Sequence, residues 1–115
     1  MYYYLMQTLT HAPVLARLGH ALSDPTRAQI MLALSQAPGY PAELAEQLDV
    51  SRQSISNHLQ CLRGCGLVVA VPEGRRARYE LADAGLGQAL SGLLDVVLAV
   101  DPEHCEAAAA GTGCC

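Results

Sequence analysis

The five cysteines are the residues of this chain with the most distinctive chemistry, and all of them lie in its second half. Cys61 and Cys65 are four residues apart, a spacing that within a helix puts their Cβ atoms on one face, about 5–6 Å from each other. Two thiolates so placed can reach one metal ion, whereas a disulfide needs its Cβ atoms at about 3.8 Å. The pair therefore indicates a metal site rather than a disulfide, although a single cysteine among leucines is more often a small core residue.

The other cysteines follow the last apolar segment of the chain. Two thiolates leave a metal site incomplete, and Cys105 is the natural third ligand. Three sulfurs without a supporting histidine or carboxylate motif favour a soft, thiophilic ion over magnesium, calcium or manganese. Cys114 and Cys115 lie in a tail rich in alanine and glycine, where they could extend this site, pass metal inward or have no defined role.

A second group of side chains has the chemistry of DNA recognition. Arginine can bond guanine through both branches of its fork, glutamine and asparagine can bond adenine, and serine can bond bases or phosphate. Such residues fill two turns of a predicted helix, and arginines suited to phosphate or minor-groove contact follow in a predicted hairpin. A polar helix face beside a solvated charged turn is the alternative interpretation, but their adjacency favours DNA. The candidates are Arg52, Gln53, Ser54, Ser56 and Asn57 on the helix, and Arg75, Arg76 and Arg78 in the hairpin.

The distribution of charge supports this hypothesis although the total does not. The net charge of −4, from 7 basic and 11 acidic residues, argues against a nucleic-acid binder. Residues 51–79, however, contain five arginines and a single glutamate, a local charge of +4. Every basic residue is arginine, which suits forked contacts with phosphate or base edges. Five tyrosines without tryptophan or phenylalanine are too few for a platform that stacks single-stranded bases, so double-stranded DNA is the expected partner.

The elements that position these residues follow from apolar spacing and from capping residues. We predict a first helix ending before Ser23, and a second that Asp24 caps with Pro25 at its first position. A short third helix begins at Pro41, and Ser51 caps a fourth that glycines 64 and 66 close. Residues 68–71 and 77–81 then form a hairpin around the turn 72–74, and a last helix spans 83–100. This α-α-α-α-β-β-α order is mainly α with a β-hairpin wing, a winged helix-turn-helix.

The chain is long enough for one domain. We expect an N-terminal extension over residues 1–12, the winged domain over 13–101 and a flexible cysteine-containing tail over 102–115. The last helix is apolar on nearly all sides, so a second subunit must cover it, which predicts a homodimer. Its apolar stretch of 15 residues is shorter than the roughly 20 that a bilayer requires. With no charged start of a signal peptide before Arg17 and an odd number of cysteines, we expect a cytoplasmic protein.

Three short motifs stand out in this chain: Asp-Pro-Thr-Arg at 24–27, Asn-His-Leu at 57–59 and Cys-Leu-Arg-Gly-Cys-Gly at 61–66. With them the chain resembles the ArsR/SmtB family of metal-sensing repressors, and within it the cadmium/lead sensors of actinobacteria. The first two motifs are family-wide, and the cysteine-containing run is specific to that subgroup. The resemblance covers roughly residues 14–105. The resembling segments are 22–27, 56–70, 73–75, 78–83 and 96–101.

The resemblance implies a homodimer that represses an operator and releases it when Cd(II) or Pb(II) binds. It also implies that Cys61 and Cys65 of one subunit bind the metal together with Cys105 of the other. This chain lacks the family's other familiar site, an Asp/His set on the last helix, because residues 83–100 contain no histidine. It also lacks the Cys-Val-Cys box of many arsenic and cadmium sensors, and the terminal cysteine pair is outside the pattern.

Two other interpretations keep the same fold. An arsenite sensor would bind As(III) through Cys105, Cys114 and Cys115, and a thiol-redox regulator would form disulfides on oxidation. An enzyme with a cysteine nucleophile would need a cysteine, histidine and carboxylate set, which the sequence does not offer, and no organic cofactor is expected. His58, alone on its helix, is expected to pack or to bond a neighbouring backbone group rather than act as a ligand or a base.

Overall fold

A computed structural model describes residues 2–99 of the 115-residue chain, and the predicted order of elements is confirmed. Five helices and one antiparallel hairpin form a winged helix-turn-helix. The elements are α1 (Tyr2–Leu22), α2 (Pro25–Gln36), α3 (Pro41–Leu48), α4 (Arg52–Gly64), β1 (Val68–Glu73), β2 (Arg76–Leu81) and α5 (Ala84–Ala99).

The helix ends have the predicted caps. A carboxylate oxygen of Asp24 accepts a hydrogen bond from the backbone N–H of Arg27 at 3.0 Å, and the Ser51 hydroxyl accepts one from Ser54 at 3.0 Å. Both caps satisfy N–H groups that a helix leaves unpaired at its start. Asp49 adopts a left-handed conformation (φ 55°) between α3 and α4, which short polar side chains tolerate. This residue makes the tight turn of the helix-turn-helix.

The first helix runs into the expected N-terminal extension. Residues 2–12 continue into 13–22 as one helix, with Pro13 inside it, so the expected boundary after residue 12 falls within α1. A proline inside a helix removes one backbone hydrogen bond to the preceding turn. Here the helix continues through it, and the Thr10 hydroxyl in the preceding turn donates to the carbonyl oxygen of Met6 at 3.0 Å.

The turn of the wing also differs from the predicted one. Pro72 and Glu73 belong to β1, and the register pairs Glu73 with Arg76, so the turn consists of Gly74 and Arg75. Gly74 has φ +62°, the conformation that a two-residue type II′ hairpin turn requires at its first position. Pro72 is tolerated in the strand because a two-stranded ribbon has open edges.

The wing is fixed to the rest of the domain by backbone hydrogen bonds. Gly39 in the α2–α3 loop donates to the carbonyl of Tyr79 at 2.9 Å and accepts from its N–H at 2.8 Å. The root of the wing therefore lies beside the start of α3, the first helix of the helix-turn-helix.

The core lies where α2, α3, α4 and β1 meet. Its largest fully buried side chains are Ile30, Met31, Ile55, Leu59, Leu62 and Val68. By contrast, α5 buries only Leu90, and Leu93, Leu94 and Val97 on the same helix are exposed. The part of α5 that the structure describes thus keeps an apolar face without a cover. Within residues 2–99, no helix is long and apolar enough to cross a membrane.

Candidate nucleic-acid interface and cysteine pair

The residues predicted to read DNA lie on the outer face of α4. Ile55 and Leu59 anchor the inner face of this helix in the core. Arg52, Gln53, Ser56 and Asn57 are exposed, and Ser54 is half-buried. The first two turns of α4 therefore present a polar surface to solvent on a helix that is held rigidly from behind.

Two of these side chains bond each other. The Gln53 amide Nε2–H donates to the side-chain oxygen of Asn57 at 3.0 Å, as residues four apart on a helix can. The bond leaves a carbonyl oxygen and one N–H on Gln53, and both N–H groups on Asn57. The pair thus keeps donors and an acceptor for a base edge while each amide fixes the orientation of the other.

The three wing arginines differ in their surroundings. Arg78 pairs with Glu73 at 2.8 Å and lies 3.7 Å from Glu80. Arg76 pairs with Glu43 of α3 at 3.2 Å. Arg75, in the turn at the tip, has no hydrogen-bond or ion-pair partner among the residues described. Two of the three predicted phosphate contacts are therefore neutralised by carboxylates within the chain itself.

Tyr40 joins the wing to α3. Its hydroxyl donates to Glu73 Oε1 at 2.5 Å, and the guanidinium of Arg76 lies over its ring, 3.6 Å from the centroid. The hydrogen bond to Glu73, desolvation and the negative charge of that carboxylate raise the pKa of the Tyr40 phenol. Sequence reasoning missed Tyr40, Glu43 and Glu73, because the bonds between the α3 region and the wing join residues 33 positions apart. No local spacing pattern indicates such contacts.

His58, expected to pack or to bond a neighbouring backbone group, is half-buried and lies beside a side-chain partner. Its Nε2 lies 3.7 Å from the Asp24 carboxylate at the start of α2. The backbone N–H of Arg27 is the main cause that lowers the pKa of Asp24, and the nearby imidazole adds to it. The Arg27 side chain in turn donates to the carbonyls of Ala21 at 2.9 Å and His20 at 3.1 Å, at the end of α1.

The cysteine pair lies at the opposite end of α4 from the residues predicted to read DNA. Cys61 and Cys65 are both half-buried free thiols, and Cys65 caps the helix by donating its backbone N–H to the Cys61 carbonyl at 3.0 Å. Gly66 follows with φ +77° and ends the helix. Residues 2–99 contain no group of three or more histidine, cysteine, aspartate or glutamate side chains placed to hold a metal. Cys105, Cys114 and Cys115 lie outside the described residues.

Comparisons with known proteins agree with this architecture. Residues 24–69 match the family described as bacterial regulatory protein, arsR family. The HTH-type transcriptional regulator CmtR of Mycobacterium tuberculosis is 56% identical over 100 residues, which cover 86% of this chain and 85% of that protein.

Solved structures give the same result. The NMR structure of the cadmium metal-sensor CMTR from Mycobacterium tuberculosis matches with a TM-score of 0.62 and 59% identity, over 75% of this chain and 90% of that one. A homodimeric winged helix-turn-helix DNA-binding domain from Mycobacterium bovis matches with a TM-score of 0.71 and 28% identity, over 87% and 90% of the two chains. This chain belongs to the arsR family of bacterial regulatory proteins, whose members are transcriptional regulators and not enzymes.

Proposed function

We propose that this protein is a transcriptional repressor that binds operator DNA as a homodimer and is released from it by a thiophilic metal ion such as Cd(II) or Pb(II). One observation carries the proposal. The helix whose first turns expose the DNA-reading side chains ends in the half-buried pair Cys61 and Cys65. The 56% identity to CmtR, a relative whose solved structure is described as a cadmium metal-sensor, supports it.

The DNA contacts divide between α4 and the wing. In a helix-turn-helix the second helix enters the major groove and its N-terminal residues meet the base edges. We assign base and phosphate contacts to five residues of α4 and phosphate contacts to the wing arginines. The residues are Arg52, Gln53, Ser54, Ser56 and Asn57, with Arg75, Arg76 and Arg78 in the wing.

The homodimer would be formed by the uncovered apolar surface. Leu93, Leu94 and Val97 of α5 line an apolar groove together with Leu22 and Met31. The exposed fractions of Leu93 and Val97 are 50% and 58%, which is costly in water for side chains of this type. A second copy of α5 gives these side chains an apolar cover, and the Mycobacterium bovis relative is described as homodimeric.

The metal would be held by sulfur. Cys61 and Cys65 supply two thiolates, and no carboxylate or imidazole completes a three-donor group with them in residues 2–99. This donor set fits a soft ion and suits magnesium or calcium poorly. We assign the third ligand to Cys105, contributed by the other subunit.

Release from DNA would follow from thermodynamic linkage. Cys61 and Cys65 lie at the end of α4, the helix proposed to read DNA, whereas Cys105 follows α5, the helix proposed to form the dimer, in the sequence. A metal site that joins these cysteines therefore ties α4 to the dimer interface. Half-sites one turn apart require the two reading helices at a separation of about 34–36 Å. An ion that favours another separation binds the free protein more tightly and weakens DNA binding by the same factor, typically about 5–150-fold.

The test compares the reduced wild type with Cys61→Ser and Cys65→Ser. Each is titrated with Cd(II), Pb(II), As(III) and Zn(II) while ultraviolet thiolate-to-metal absorption and release of an operator duplex are followed together. We expect both substitutions to abolish the Cd(II) and Pb(II) absorption and the release. Full retention of the response would contradict the assignment. Release by As(III) alone, dependent on the tail cysteines, would instead favour an arsenite sensor. Disulfides in diagonal gels of the oxidised protein would favour a redox regulator.

A further inference from the structure

Three arginines line one cleft between the start of α3 and the wing. Arg52 comes from the first position of α4, and Arg75 and Arg76 come from the wing. The cleft has a volume of about 280 Å³, and Tyr40 forms part of its wall. Side chains that are far apart in the sequence thus bring three guanidinium groups to one place.

The positive charge of this cleft is only partly compensated. Glu43 neutralises Arg76 at 3.2 Å. Neither Arg52 nor Arg75 has a hydrogen bond or ion pair with any residue in the part of the chain that the structure describes. Two positive charges therefore remain, in a chain whose net charge is −4. This local excess is what an anion with several oxygen acceptors requires.

The pair of Arg76 and Glu43 is built so that the arginine can exchange its partner. Both side chains are more than half exposed, at 56% and 55%, so water screens their attraction and separating them costs little. The Tyr40 ring, 3.6 Å below the guanidinium, holds the plane of Arg76 independently of Glu43. Arg76 can therefore leave the carboxylate without losing its place in the cleft.

We propose that this cleft holds one backbone phosphate of the bound duplex and that Glu43 takes the place of that phosphate on Arg76 in the free protein. The proposal rests on the DNA binding proposed above. A duplex read by α4 passes beside Arg52, so its backbone meets the cleft. Glu43 must then give up Arg76, so the ion pair between them is lost when the duplex binds. Glu43 is thus a built-in competitor that lowers the affinity for every DNA sequence.

The test substitutes Glu43 by Gln and uses Glu46→Gln as the matched control. Glu46 is an exposed acid on the same helix, and its side chain has no ion pair among the residues described. Binding to a random-sequence duplex long enough for a dimer is measured by fluorescence anisotropy at several salt concentrations. We expect Glu43→Gln to tighten binding by about threefold to fivefold at low salt, the upper part of the range of an exposed ion pair, and Glu46→Gln to have a clearly smaller effect.

The role of Arg76 is tested in the same assay. Arg76→Ala removes one phosphate contact and lowers the salt slope by roughly 0.9, while Glu43→Gln alone leaves the slope unchanged. In the Arg76→Ala background the gain from Glu43→Gln disappears. Circular dichroism and thermal melting establish that the variants fold, as expected for exposed side chains.

Two results would overturn the proposal: equal gains from Glu43→Gln and Glu46→Gln, or a gain that persists without Arg76. These results differ from a failure of the proposed function. A wild-type protein that binds no duplex at low salt would contradict both. A wild-type protein that binds its operator and is released by Cd(II), while Glu43→Gln has no effect, would contradict the phosphate site alone.

Discussion

The Nε2 atom of His58 lies 3.7 Å from the carboxylate of Asp24, which joins the DNA-reading helix to the residue that caps α2. The same carboxylate oxygen accepts the backbone N–H of Arg27, whose side chain bonds the last carbonyls of α1. The end of α1, the start of α2 and the middle of α4 therefore meet around Asp24. The placement of α4 thus depends on a junction that it shares with α1 and α2.

This junction should depend on pH. Hydrogen bonding from Arg27 lowers the pKa of Asp24 in the folded state below its ordinary value of 3.8. The ionised carboxylate therefore stabilises the fold fully above that value, and the contribution is lost as the pH falls through the folded-state pKa. Asp24→Asn keeps a capping side chain but no charge. We expect the free energy of unfolding of Asp24→Asn, measured by urea denaturation, to be lower than that of the wild type. The difference should be constant near neutral pH and should shrink at acidic pH. A deficit that does not change with pH would contradict this account.

The wing tip should contribute electrostatically to the binding of any duplex. Arg75→Ala is expected to weaken binding to all sequences alike and to lower the salt slope by roughly 0.9. Arg78→Ala should change the slope less, because Arg78 is less exposed than Arg76 and lies beside two carboxylates, Glu73 and Glu80, so it gives up its partners for a phosphate less readily. Arg17→Ala in α1, outside the proposed interface, is the control. An unchanged slope for Arg75→Ala in filter-binding or anisotropy titrations would count against a phosphate contact by the wing tip.

The amide pair on α4 should affect specificity. Asn57→Ala removes one candidate base contact and the acceptor that orients Gln53. We expect a loss of about 1–3 kcal/mol of discrimination at one or two operator positions, with non-specific affinity unchanged. Binding to a set of single-base operator variants measures this loss. If all variants weakened equally, Asn57 would be a backbone contact instead.

The apolar face of α5 should determine the oligomeric state. Leu93→Glu or Leu94→Glu places a charge in the proposed dimer interface and should give monomers or unfolded chain. Gln88→Glu adds the same charge at an exposed polar position of the same helix and should leave the dimer intact. Light scattering coupled to size-exclusion chromatography distinguishes these outcomes. Stable dimers of both leucine variants would show that another surface forms the interface.

The tail cysteines should differ in importance. Cys105→Ser is expected to preserve DNA binding without metal and to blunt release by Cd(II) or Pb(II). The double change Cys114→Ser with Cys115→Ser should alter little and is the matched control. Operator release during metal titration is the measurement. If the terminal pair proved essential and Cys105 dispensable, the metal site would lie in the tail.

Local signals were sufficient to predict most of the fold. The caps at Asp24 and Ser51 and the apolar spacing of Ile55, Leu59 and Leu62 are properties of neighbouring residues, and the structure has them as expected. The start of α1 was less predictable, because residues 1–12 were expected to form an extension, whereas the helix already begins at Tyr2. The extent of β1 was obscured by Pro72, since a proline usually marks a turn.

The electrostatics of the site were less accessible to sequence reasoning. The arginines and their positions followed from residue type, but their pairing did not. Glu43 reaches Arg76, and Tyr40 reaches Glu73, only after the chain has folded the wing against α3. Such contacts depend on tertiary structure, and a sequence pattern of period two or four does not contain them.

The Gly39–Tyr79 bridge bears on how operator preference can diverge. Both of its hydrogen bonds join main-chain atoms, so substitution of the side chains proposed to contact DNA leaves the bridge intact. Residues on the outer face of α4 and in the wing can therefore be exchanged during evolution, or in a designed library, while the frame that presents them keeps its geometry. A proline at position 79 would loosen this frame, because it removes the backbone N–H that donates to the Gly39 carbonyl.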